Sequence, residues 1–301
     1  MGFYLIKGDL VTMNVDCIVS NANVNLKMVE GVNRAIFHKA GDVNMLEACR
    51  KIGRCDVGKA VMTPSFDIKT CKAIIHAVGP NYINGKHGEE ANLRSAYQSV
   101  FDIMNENNFT SVAFPLLSSD FNYPTDECYK IAKEVIIENI KKNPSLEVYI
   151  VFFKNIFNLV NSSFKEKIND FLLQDFPKYE IEVESTDNNI KGLKFIEEKE
   201  VLLSINDTDI EINGNLANGT ILKLKNDETY LPSKNTLYGI GIALKLNEEE
   251  FLKLLSLFGY YVQFNTTKLS IIRYFIINNN YDVYKINDVL FDLSLQSINS
   301  K

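Results

Sequence analysis

The sequence predicts a layered α/β domain followed by a smaller α+β domain, and three observations predict it. Up to about residue 174, short apolar runs alternate with stretches of helical periodicity. Near Asp175-Phe176-Pro177 the composition shifts, and beyond it there is no cysteine or histidine while asparagine becomes frequent. After that shift, alternating segments with Asn/Gly turns come first and helical signals later. The domains are therefore drawn at residues 1–176 and 180–301.

In the first domain, Phe3–Ile6 and Val15–Val19 read as strands, and Val32–Ala40 as a helix stopped by Gly41. Asp42 is expected to cap a second helix running to Arg50, with Gly53 just past its end. Strands follow at Ala60–Thr63 and Ala73–Val78, the latter ended by Gly79-Pro80. Over Glu89–Asn107 the residues Leu93, Ala96, Tyr97, Val100, Phe101 and Met104 share one helical face. Val112–Leu117 reads as a strand, Asp126–Lys142 as a helix, Val148–Phe153 as a strand and Ile156–Leu173 as a closing helix.

The second domain opens with strand-like segments at Tyr179–Glu184, Lys199–Ile205, Thr208–Ile212 and Thr220–Leu224. Asn213-Gly214-Asn215 and Asn218-Gly219 suit hairpin turns between them. Asn247 and three following glutamates predict the start of a helix over Glu248–Phe258, terminated by Gly259. Leu269–Ile277 and Ile286–Leu295 read as buried helices, with a strand as the alternative for Ile271–Ile277.

Composition narrows the function. The formal charge of −6 argues against broad binding to nucleic acid or an anionic membrane surface. Most of it belongs to residues 181–301, where 12 Lys/Arg face 17 Asp/Glu. No apolar run approaches the roughly 20 residues that span a bilayer, and the start lacks the pattern of a signal peptide. The five cysteines form no CxxC pair and suit a reducing cytoplasm. With three histidines and no clustered ligands, neither a metal nor a cofactor is implied.

Two strand-to-helix turns carry the chemistry: Val15–Gly41, with Asn23 and a turn ending in Gly31-Val32, and Ala113–Pro124, with the Ser118-Ser119-Asp120-Phe121 loop. Such turns place backbone N–H groups and a helix N-terminus where an anion can sit, and ligands of layered sheets bind at the carboxyl ends of the strands. The chain resembles the macrodomain family over residues 1–174. The resemblance rests on Gly8-Asp9-Leu10, Val15–Ala22, Gly31-Val32, Ala35-Ile36, Lys39-Ala40-Gly41, Val57–Ala60, Ile75–Pro80, Ala113-Phe114-Pro115 and Tyr123-Pro124.

That resemblance implies a three-layer α/β/α fold with a mixed sheet and a site for ADP-ribose. By position, Asp9 accepts from the adenine amino group beside Leu10, and Phe152 packs on the adenine ring. Asn23 contacts the distal ribose and orients the water in hydrolytic members. Glu30, Gly31 and Val32 belong to the first phosphate loop, and Ser118, Ser119, Asp120 and Phe121 form the second. Asn33 stands where one hydrolytic class has an aspartate, and asparagine cannot take a proton at neutral pH. His76, inside an apolar strand, reads as a packed core histidine.

The phosphate loops depart from the family. Met28-Val29-Glu30 replace a glycine run, Asp120 replaces a glycine, and the second loop is about one residue short. A carboxylate about 5 Å from a phosphate charge costs roughly 3 kcal/mol at an effective dielectric near 20, or about 100-fold in affinity. The expected function is binding of ADP-ribose or a related adenine nucleotide, with little or no hydrolysis, coupled to a C-terminal effector or docking domain. A ligand with less or differently placed negative charge fits, including modified ADP-ribose signals of bacterial defence. The alternatives are an ADP-ribosyl hydrolase acting through Asn23 on protein or O-acetyl-ADP-ribose, and a scaffold that has lost its ligand. The expected partners are that nucleotide or an ADP-ribosylated protein, and a further protein through the C-terminal domain.

Overall fold

A computed structural model describes residues 2–153, 162–174, 188–227, 229–260 and 266–298. The chain divides into two compact units, Phe3–Phe157 and Asn158–Lys301 together with Met1–Gly2.

The first unit is built on a six-stranded sheet. Its strands are β1 (Gly2–Lys7), β2 (Cys17–Asn21), β3 (Ala60–Pro64), β4 (Ala73–Ala77), β5 (Ser111–Phe114) and β6 (Glu147–Phe152), in the order β1-β6-β5-β2-β4-β3. β6, β5, β2 and β4 pair in parallel, and β3 is antiparallel at the edge. β2 and β4 are buried at every residue, as a strand covered on both faces must be. Asp16 clamps this centre. Its carboxylate accepts from the backbone N–H of Thr110 at 2.8 Å and of Ser111 at 3.1 Å, and pairs with Lys72 at 2.6 Å.

The helices α1 (Val32–Ala40), α2 (Asp42–Ile52), α3 (Glu89–Glu106) and α4 (Thr125–Lys142) complete the unit. Ile36 and Phe37 of α1 and Met45 and Cys49 of α2 join Ile18 and Ile74 in one core cluster. On α3 the expected face is buried from Leu93 to Met104. α1 and α2 end at Gly41 and Gly53, both at positive φ, as expected. Asp42 does not cap α2. The cap position is Gly41, and the Asp42 carboxylate instead lies 2.8 Å from His38 Nδ1. β5 also stops at Phe114, because the chain turns there into a buried loop.

In the second unit the described residues are helical: α5 (Ser162–Gln174), α6 (Asn188–Leu203), α7 (Asp207–Asn213), α8 (Thr220–Asn226), α9 (Lys234–Ala243), α10 (Glu248–Leu257), α11 (Thr267–Ile277) and α12 (Val283–Asp292). This corrects the strands expected at 199–205, 208–212 and 220–224, which lie in or beside α6, α7 and α8. Tyr179–Glu184 falls outside the described residues. The reason is capping: Asn206 and Asp209 form a reciprocal capping box that starts α7. Gly214 and Gly219 are helix boundaries rather than hairpin turns. Glu211, buried on α7, accepts the N–H of Gly219 at 3.1 Å and of Ile221 at 2.9 Å, and so caps α8. α10 has the expected Asn247 cap, again with a capping box through Glu250. α11 excludes the strand alternative for its apolar run.

Gly214 and Gly239 let α7 and α9 touch through backbone. A Cβ on either would meet the other's carbonyl oxygen, at 2.7 or 2.5 Å. α5 packs within this unit, its Phe171 ring 5.2 Å from Tyr274 of α11. Among the described residues no helix is long and apolar enough to cross a membrane.

Candidate functional site

The parallel strands β2, β4, β5 and β6 deliver their carboxyl ends to one edge of the sheet; Asn23–Gly31 lie in the loop that leaves β2 and Ser118–Phe121 in the loop that leaves β5, while Phe152 ends β6 and Asp9 follows β1. At one end, β1 and β6 are neighbours, and the N–H of Gly8 donates to the carbonyl of Phe152 at 3.0 Å. This sets Asp9 and Leu10 beside Phe152. Asp9 caps the short 3-10 turn Leu10–Thr12, its Oδ1 accepting from Val11 N–H at 3.2 Å. Its carboxylate is exposed, whereas Leu10 and Phe152 are buried.

The first loop leaves β2. Asn23 organises it: Oδ1 accepts from the N–H of Asn25 at 3.1 Å and of Lys27 at 3.2 Å, and Nδ2 donates to the Lys27 carbonyl at 2.8 Å. One amide proton of this half-buried side chain has no acceptor among the described residues. Asn33, from the first turn of α1, is only 2% exposed and ties the loop to the sheet. Its Oδ1 accepts from Val29 N–H at 2.8 Å, and its Nδ2 donates to Ser20 Oγ at 2.9 Å. Gly31 precedes α1 at φ 81°, a conformation that glycine adopts without a Cβ penalty. Glu30 pairs with Arg34 at 2.7 Å on the exposed side of α1. Met28 packs against the core cluster.

The second loop leaves β5. Leu117 N–H donates to the Tyr97 hydroxyl at 3.0 Å, and Ser118 N–H to Asn21 Oδ1 at 3.4 Å. Ser118 is fully buried with φ 64°, and its Oγ faces Gly79 without a hydrogen-bond partner among the described residues. Ser119 Oγ donates to the Leu116 carbonyl at 2.7 Å, and Phe121 N–H to the Ser118 carbonyl at 2.8 Å. Asn122 takes a left-handed conformation, φ 58°. The two loops meet at one point. A Cβ on Gly31 would lie 3.6 Å from Asp120 Oδ2, so this exposed carboxylate stands against the start of α1.

A third loop supports the second. Tyr82 N–H donates to the Phe121 carbonyl at 3.0 Å, and the Tyr82 and Tyr123 rings are 4.7 Å apart. Glu89 holds this loop by accepting from the N–H groups of Ile83, Asn84, Gly85 and His87 at 2.6–3.3 Å. Burial opposes its ionisation, but those donors outweigh it and bring the carboxyl down to about 2.

None of the five thiols is activated by a lowered pKa. Burial pushes Cys49 and Cys71 up to about 11 and Cys128 up to about 12, and it raises Cys17 and Cys55 as well. His76 is buried, with Nε2 3.0 Å from Thr63 Oγ1, and burial holds its imidazole down at about 4. Among the described residues no group of three His, Cys, Asp or Glu could hold a metal ion. Sequence reasoning does not assign the supporting roles of Asn21, Ser20, Tyr97 and Glu89. Only Glu89 leaves a signal, an acid in the first helical turn after an Asn-Gly loop.

The family model described as Macro domain matches residues 19–132. An uncharacterized protein of Fusobacterium nucleatum is 40% identical over 143 residues, 47% of this chain and 81% of the relative. The O-acetyl-ADP-ribose deacetylase of Salmonella gallinarum is 36% identical over 155 residues, 50% of this chain and 86% of the relative. The human ADP-ribose glycohydrolase MACROD2 is 35% identical over 175 residues, 57% of this chain but only 40% of the relative.

Proposed function

The chain belongs to the macro domain family through its first domain, and on that premise we propose that it binds ADP-ribose or a related adenine nucleotide between the 23–33 and 118–124 loops. In this reading the adenine meets Asp9, Leu10 and Phe152, and the distal ribose meets Asn23. The diphosphate passes between Glu30-Gly31-Val32 and Ser118–Phe121. The observation that carries the reading is the meeting of the two loops at Gly31 and Asp120, where α1 begins. The names of the bacterial deacetylase and the human glycohydrolase point to the same ligand class.

The two carboxylates act unequally. Glu30 is paired with Arg34, an exposed ion pair that offsets part of its charge. Asp120 has no such partner among the described residues, and it opposes a phosphate placed beside it. Its exposure screens that repulsion, so the cost falls below the roughly 3 kcal/mol of a close pair at an effective dielectric near 20. The site therefore favours an adenosine ligand with less charge, or differently placed charge, near the second loop. The C-terminal helical domain acts as an effector or docking element.

Hydrolysis is the second reading. Asn23 favours it, because its remaining amide proton can orient a water. Asn33 counts against it, since its buried amide is committed at both ends and cannot accept a proton. Calorimetric titration with ADP-ribose tests the binding reading. Wild type is expected to bind in the micromolar range, and Asp9→Ala to weaken binding about tenfold or more, as loss of a charged hydrogen bond does. No heat from ADP-ribose, ADP or adenosine at millimolar ligand overturns it and leaves the scaffold.

A further inference from the structure

A cleft of about 590 Å³ opens between residues 25–28 and the C-terminal half of α2. Leu26 and Cys49, both buried, form its floor with half-buried Leu46 and Met28. Lys27 and Arg50 stand exposed on its rim. The neighbouring cations are spoken for: Lys51 pairs with Glu47 at 2.9 Å, Arg54 with Asp56 at 3.1 Å and Arg34 with Glu30 at 2.7 Å. Among the described residues neither Lys27 nor Arg50 forms an ion pair within 4 Å; Arg50 feels Glu47 only at longer range, and Glu47 is already paired with Lys51. Part of the Arg50 charge complements the C-terminus of α2, but Lys27 lies outside any helix and has no such complement. In a chain of net charge −6, a cationic rim over an apolar floor selects an anionic group carried on an apolar body.

The cleft is continuous with the nucleotide loop. Met28 lines it and begins the turn to Gly31, and the backbone of Lys27 is held from both sides by the Asn23 side chain. We propose that this cleft docks an acidic peptide segment, a glutamate or aspartate beside an apolar residue, flanking the modified side chain of an ADP-ribosylated protein. The proposal rests on the nucleotide reading above. The nucleotide then fills the groove, the attached chain leaves past Asn23, and its acid meets Lys27 and Arg50 while the apolar neighbour covers Leu26 and Leu46.

The test uses the full chain and two peptides joined to ADP-ribose by a non-hydrolysable linkage, one flanked by Glu-Leu-Glu and the other by Lys-Leu-Lys. Wild type is expected to bind the acidic peptide about fivefold to tenfold more tightly than the basic one, the scale of one or two screened ion pairs. Arg50→Glu, a surface change on α2 outside both nucleotide loops, should abolish that preference while leaving affinity for free ADP-ribose unchanged. Equal affinities in wild type, or a preference that survives Arg50→Glu, overturns the proposal. The methyl resonance of Met28 keeps the cleft testable if free ADP-ribose fails to bind. The unmodified Glu-Leu-Glu peptide is expected to shift it in wild type and not in Arg50→Glu. No shift at millimolar peptide removes the cleft whatever the groove does.

Discussion

Asn33 joins the first loop to the sheet through one amide, with Val29 N–H on one side and Ser20 Oγ on the other. The family resemblance places this residue where one hydrolytic class has an aspartate. Nothing in the sequence says that the side chain points inward, since asparagine serves buried and exposed loops alike. His76 was legible by contrast, because an apolar strand around a lone histidine leaves it no water. Its imidazole, held at about 4 instead of 6.5, makes the folded state bind fewer protons than the unfolded state. Its contribution is full above about pH 6.5 and is lost as pH falls toward 4, up to about 3 kcal/mol in all. Denaturant unfolding of His76→Leu should show a flatter stability profile across that window than wild type. An unchanged slope would mean that another group titrates there.

At the scale of elements, the alternation of strand and helix in the first domain follows from apolar runs too short for helices and from glycines at helix ends. The second domain misleads because segments such as Lys199–Ile205 alternate over too few residues to separate the two periods. Asn-Gly pairs also mark helix ends as readily as hairpins. The stronger signal is the Asn206/Asp209 spacing, a capping box directly ahead of Ile210 and Ile212. Glu211 shows how these short helices are joined. Buried at 3% exposure, it satisfies two orphan N–H groups at the start of α8. Glu211→Ala should lower the stability of the second domain by about 1–3 kcal/mol, read by denaturant unfolding. A change within a few tenths of a kcal/mol would show that water replaces the cap.

Across the whole molecule, Asp9 and Leu10 follow β1 beside Phe152 of β6, where the family resemblance implies an adenine, while the phosphate loops are altered in a way that sequence alone left open. The residues at fault were visible as substitutions; their orientation was not. Glu30 turns onto Arg34, Asp120 stands at the start of α1, and Ser118 and Asn122 take the left-handed conformations that glycine usually fills. In the proposed reading Asp120, unlike Glu30, is therefore the carboxylate that most opposes the ligand. The most direct measurement is the affinity of ADP-ribose for wild type beside Asp120→Gly. Both proteins should bind, and removing the carboxylate should strengthen binding by about tenfold to 100-fold at low salt, with the gain shrinking as salt rises. If Asp120→Gly binds no better than wild type, or neither binds at millimolar ligand, the groove between these loops is not where the nucleotide goes.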